Sequence, residues 1–212
     1  MDKNTGFPAY LQLCLDFANT MDWHASEHPV ETLHRYADLV AWAERNQLLT
    51  NGEAEQLKAL AARAVPEAQQ VLEAALVLRE ALYRILAAIA AEGTPAPSDL
   101  AVLNAALPDA YQHLRIIQTP EGFAWGWIDT GAVLDCLVWP IVRSAADLLT
   151  FNNLSRVRQC ADDRGCGFLF IDTTRNRSRR WCSMEGCGNR AKARRHYERS
   201  VAPDKATDSP SH

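Results

Sequence analysis

Cys160, Cys166, Cys182 and Cys187 carry the clearest chemistry in this 212-residue sequence, spaced as C-x5-C, fifteen residues, then C-x4-C. Two short loops that each present two sulfurs, separated by enough chain for a β-hairpin, form a metal-site pattern. Thiolates suit a borderline-soft ion, and four of them leave no open coordination position, so the spacing predicts one structural Zn²⁺ rather than a catalytic ion. Two disulfides are the competing use of these residues, and a reducing compartment disfavours them. Strands are predicted over 168–172 and 179–182. A helix is predicted after Cys187, with its N-terminus placed to favour the fourth thiolate. A fragment this small cannot build a sufficient core, so metal should supply much of its folding free energy.

Charge separates this segment from the rest. The formal net charge is −4, but residues 154–200 hold 12 Lys or Arg against 5 Asp or Glu, while residues 1–153 hold 9 against 19. An acidic body therefore carries a basic module. Arg175, Arg177, Arg179 and Arg180 crowd one loop and strand, and Arg190, Lys192, Arg194, Arg195 and Arg199 stud the helix that follows. Arginine forks match phosphate oxygens and guanine edges, which makes nucleic acid the obvious partner. Lys192, Arg195 and Arg199 share one helical face. Compensation of a four-thiolate zinc site, formally −2, accounts for only part of the surplus. Trp181, beside a ligand, is expected to pack against the metal site.

The elements that must hold this module read as a mostly helical α+β body over residues 1–153. Its apolar content of 48% leaves material for at least one core. Leu11, Leu13, Leu15 and Phe17 alternate with Gln12, Cys14, Asp16 and Ala18, which predicts an opening strand with Asp16 on the face opposite the leucines. Helices are expected from Pro29 to about Asn46, after a Thr50/Glu53 capping box, and from Pro66 towards Gly93. A short helix capped by Ser98 should run through Leu107. A hairpin over 113–118 and 123–128 and a helix over 132–150, bent or interrupted at Pro140, complete the body. Residues 201–212 have the composition of a disordered tail.

The stretch Arg179-Arg-Trp-Cys-Ser-Met184, then Cys187-Gly-Asn-Arg190-Ala-Lys192, resembles the signature of the CGNR zinc-finger family. The resemblance runs from Val157 to about Arg199 and includes Phe168-Leu-Phe-Ile-Asp172 and Arg175-Asn-Arg177-Ser-Arg-Arg180. Proteins of that family usually carry an N-terminal ABATE domain, and Leu13-Cys-Leu-Asp-Phe-Ala-Asn-Thr20 is similar to its opening motif. The resemblance implies a bacterial, stress-related transcription regulator with a treble-clef-like finger, residues 154–200, that binds nucleic acid. DNA is the leading partner, and RNA or a protein partner are the alternatives. The ABATE-like domain would sense an effector or form a homodimer.

Other chemistry is sparse. No phosphate loop, G-x-S-x-G elbow or H-E-x-x-H occurs, so no enzyme is expected. The start lacks a basic n-region and no run is long and apolar enough to span a membrane, which points to the cytoplasm. Asp16 and Asn19, with Arg79 as charge partner and Trp125 and Trp127 as an aromatic wall, could line a small-molecule pocket. In the competing reading Asp16 caps a turn satisfied by Arg79 and the tryptophans are core. His24, His28 and His34 are close in sequence, but Pro29 disfavours a shared helix. Cys14 and Cys136 read as small core residues.

Overall fold

The structure, a computed structural model, describes residues 8–150 and 154–201. After a 3-10 turn at Ala9–Gln12 comes helix α1 (Leu13–Ala18), with Leu11, Cys14, Leu15, Phe17 and Ala18 all buried. The expected opening strand is thus a helix. A helix enclosed on nearly every side has no polar face to report its pitch, and the alternation of leucines with smaller residues mimics period two. Asp16 lies half-buried and accepts from Gln12 Nε2 at 3.1 Å.

Strands β1 (Met21–Asp22) and β2 (Val30–Glu31) pair as a short ribbon, which delays α2 (Tyr36–Arg45) beyond its expected start after Pro29. Helix α3 (Asn51–Arg63) opens on the predicted capping box, Glu53 N–H donating to Thr50 Oγ1 and Thr50 N–H to the Glu53 carboxylate at 2.8 Å. Helix α4 (Val65–Ala90) has Pro66 in its first turn and buries Leu72, Leu78, Leu82, Ile85 and Leu86. Helix α5 (Pro97–Gln112) runs past the expected end at Leu107, with Pro97 in its first turn and Pro108 inside it. Strands β3 (Leu114–Thr119) and β4 (Gly122–Trp127) form the predicted hairpin in register Ile116↔Trp125. The helix expected over 132–150 is interrupted just ahead of Pro140: a 3-10 turn at Leu134–Leu137 precedes α6 (Trp139–Thr150), whose first turn holds Pro140, where a missing N–H costs nothing. Helix α1 lies against α4 and α6. Among the described residues no helix is long and apolar enough to cross a membrane.

Strands β5 (Val157–Gln159) and β6 (Leu169–Ile171) pair antiparallel with Val157 opposite Ile171. The partner of β6 therefore lies upstream, and residues 179–182, expected as a strand, are irregular apart from the bond from Ala161 N–H to the Arg180 carbonyl at 2.8 Å. A π-turn at Met184–Gly188 leads into α7 (Asn189–Val201). Of the expected tail, Val201 still belongs to α7 and residues 202–212 lie outside the described residues, as do residues 151–153 around the expected boundary.

Candidate metal centre and its basic surface

Strand β6 serves two interiors at once. Its three residues are all buried, and because successive side chains leave a strand on opposite faces, Leu169 and Ile171 join Val157 in the core of the helical body while Phe170 faces the cysteines. The loop after β5 delivers Cys160 and Cys166, and the segment leading into α7 delivers Cys182 and Cys187. All four sulfurs lie within 4.8 Å of one another. A tetrahedral ion with zinc–sulfur bonds of about 2.3 Å needs sulfurs about 3.8 Å apart. Cys166 and Cys182 stand at 3.8 Å and Cys182 and Cys187 at 3.6 Å, far beyond disulfide length.

The protonation of the cluster shows what it requires. The hydrogen bond with Cys166 holds Cys160 down at about 5 and pushes Cys166 far above the thiol range. Burial, then the Asp162 carboxylate, pushes Cys187 up to about 12. Like charges this close oppose one another, and a cation among the four sulfurs allows all of them to ionise. The donor set fits one structural zinc ion. Backbone and side chain complete the fit: Cys182 N–H donates to Cys160 Sγ at 3.4 Å and Arg190 Nη2 to Cys187 Sγ at 3.0 Å. No other group of three or more candidate metal ligands occurs among the described residues, so the three histidines do not assemble.

The module is bolted to the body at several points. Asn19, proposed from the sequence as a pocket residue, instead clamps β6: its Nδ2 donates to the Leu169 carbonyl and its Oδ1 accepts from Leu169 N–H, both at 2.8 Å. Tyr83 on α4 donates to the Gly167 carbonyl at 3.1 Å and accepts from Gln159 at 2.8 Å. Gly167 has φ +70°, and a Cβ there would stand 2.6 Å from the Tyr83 hydroxyl and 2.7 Å from Ala25 N, so only glycine permits this approach. The Arg164 and Arg190 guanidinia lie 5.2 and 5.5 Å from the centroid of the Trp23 ring. Both also reach the buried Asp162, at 2.8 and 3.6 Å, and Arg164 holds that carboxyl well below the usual carboxylate range.

The nine cationic residues singled out in the sequence divide into two groups. Arg179 is occupied by the Trp181 and Cys182 carbonyls and the Phe170 ring, Arg190 by Cys187 and Asp162, Arg194 by Asp163, and Arg177 by Ser155 at 2.8 Å. Arg180 and Arg195 converge on the half-buried Trp181, 5.2 and 5.7 Å from its centroid, which packs against the cysteine cluster as expected. Among the described residues Arg199 bonds only to the Arg195 carbonyl of its own helix at 3.1 Å. Exposed Arg175 and Lys192 have no partner among the described residues.

The residues expected to line a pocket are used separately. Arg79, 2% exposed, forms a bidentate pair with Glu31 at 2.6 and 2.7 Å and reaches Glu80 at 2.9 Å, which overturns its assignment to Asp16. Of its partners, Glu31 lies on a ribbon that periodicity did not reveal, and Glu80 is its neighbour on α4. Trp127 packs towards Trp139, ring centroids 6.1 Å apart, whereas Trp125 is 54% exposed beneath Arg143. Cys14 and Cys136 are buried core thiols, pushed up by burial to about 12 and about 11.

A four-sulfur site closed to substrate, set against a mostly helical domain, defines a zinc-finger protein. Residues 11–151 match the family model ABATE, described as "Putative stress-induced transcription regulator", and residues 156–200 match the CGNR zinc finger. The chain belongs to the ABATE family and carries a CGNR finger. Comparison with curated proteins gives no match.

Proposed function

We propose that this protein is a cytoplasmic, bacterial transcription regulator of the stress-response class that grips DNA through the outer surface of its finger, the helical domain and the finger acting as distinct functional units. The reading rests on one observation. Arg175, Arg180, Lys192, Arg195 and Arg199 have no acidic partner among the described residues, although Arg179, Arg190 and Arg194 show how readily this module consumes cations internally. Trp181 holds Arg180 and Arg195 together, and Lys192, Arg195 and Arg199 follow one face of α7. Such a row suits phosphates, which position a duplex without reading its sequence. A single module covers only about 600 to 1,000 Å² of DNA, so a homodimer on spaced half-sites would supply selectivity.

Anisotropy titrations of labelled DNA and RNA duplexes at several salt concentrations test the proposal. Replacing Arg180, Lys192 and Arg195 with Gln should weaken binding and reduce the salt slope by about one for each lost contact, with zinc content unchanged. Tighter salt-dependent binding to RNA would move the reading to RNA. No binding to either polymer would leave the finger as a protein-interaction module.

A further inference from the structure

Between α4, α5 and α6 lies a cleft of about 630 Å³, within the range of small-molecule sites. Its walls are apolar, formed chiefly by Val71 and Leu78 of α4, Val102 and Ala106 of α5, and Val138 and Val142. Its ionisable lining residues are Glu67, Asp109 and Asp135, all acidic, with no base among them. At one end Asp109 Oδ2 accepts from Trp139 Nε1 at 3.0 Å and its Oδ1 from Gln112 at 2.6 Å. Asp135 is less well served, because its Oδ1 is buried without a hydrogen-bond partner among the described residues. Burial, and then the neighbouring Asp109 carboxylate, push Asp135 above the ordinary carboxylate range. His113, stacked on Trp139 at 3.8 Å, is engaged by Asp129 at 3.2 Å.

We propose that this cleft binds a small amphiphilic cation, its apolar part between α4 and α5 and its ammonium group at Asp109 and Asp135. A neutral apolar molecule would fill the walls but leave the acidic end unanswered. An anion would meet three carboxylates. The cation supplies the positive charge that two neighbouring carboxyl groups lack and a donor for the unpartnered Asp135 Oδ1. The inference stands apart from the nucleic-acid reading, since none of these residues belongs to the finger.

Calorimetric titration of the full zinc-loaded chain with 4-phenylbutylammonium, 4-phenylbutanol and 4-phenylbutyrate tests it. The ammonium should bind about tenfold tighter than the alcohol, and the carboxylate weakest. Asp109→Asn with Asp135→Asn preserves shape and an acceptor for Trp139, and should erase the preference for the ammonium. Ala106→Phe fills the cleft and should weaken ammonium and alcohol alike. If the double variant misfolds by circular dichroism, Asp135→Asn alone serves, with a smaller loss of preference expected. Equal affinity for all three probes, no binding of any, a preference that survives removal of the acids, or binding indifferent to Ala106→Phe overturns the assignment.

Discussion

Along α4 the body buries five large aliphatic side chains, whereas the cysteine module encloses Phe170, part of Trp181 and four sulfurs. The first region follows the ordinary logic of apolar burial, in which each side chain removed from water adds to stability. The second has too little apolar surface to close by itself and depends on a cation that its thiols cannot do without. The two regions meet in one strand. Leu169 and Ile171 are governed by the first logic and Phe170, between them, by the second. Stability and metal retention should therefore be separable by single substitutions only ångströms apart.

The largest effect should follow metal loss. Structural zinc in finger peptides is worth about 10 to 16 kcal/mol, so chelation or Cys182→Ser should abolish amide protection around the cysteines and in α7. Hydrogen exchange should show β5 and β6 retaining protection with the helices. Equal loss of protection throughout α4 would break the comparison by showing that the regions fold as one unit. Next, Leu169→Ala should destabilise the helical body by about 2 to 5 kcal/mol. Phe170→Ala should instead speed transfer of zinc to a chelator, with a smaller change in the melting of the helices. Thermal denaturation and a zinc-dye assay on both variants distinguish these outcomes.

Asn19→Ala should cost about 1 to 3 kcal/mol, since it strands the Leu169 N–H and carbonyl in a partly buried seam. The measurement is a shift in the urea midpoint, expected to be matched by faster exchange of the β6 amides. The smallest contrast is with acid. Burial opposes ionisation of Glu31, but hydrogen bonds from Arg79 and backbone N–H groups outweigh it and hold its carboxyl below the ordinary range. A lowered carboxyl contributes stability above its unfolded value, lost only as pH falls through the folded one. Zinc, by contrast, is released as protons compete for sulfur. On acidification zinc release should precede loss of the helical signal; simultaneous loss in a combined dye and circular dichroism titration would refute the separation.

Much of this was legible in the chain. The cysteine spacing reported the metal site because ligand geometry is local, and the Thr50/Glu53 box, Pro66 and the β3–β4 hairpin follow from similarly local rules. The opening helix was not, because Leu11, Leu15 and Phe17 are buried from several directions and leave no face to count. Nor could spacing find the clamp between Asn19 and Leu169, partners 150 residues apart. The arginines were correctly seen as abundant, but their division between internal bonds and open surface depends on tertiary neighbours such as Asp162, Asp163 and the Trp23 ring.

Strand β6 also limits how this chain can be cut and recombined. A fragment starting near residue 154 would carry Val157, Leu169 and Ile171 as an uncovered apolar stripe, with the backbone of Leu169 released from Asn19. Such a piece invites self-association even when fully metallated. Grafting this finger onto another protein would require either polar replacements on that stripe or the transfer of Asn19 and Tyr83 with their helices. The unit that can be exchanged is therefore longer than the stretch that bears the cysteines, and it begins in α1.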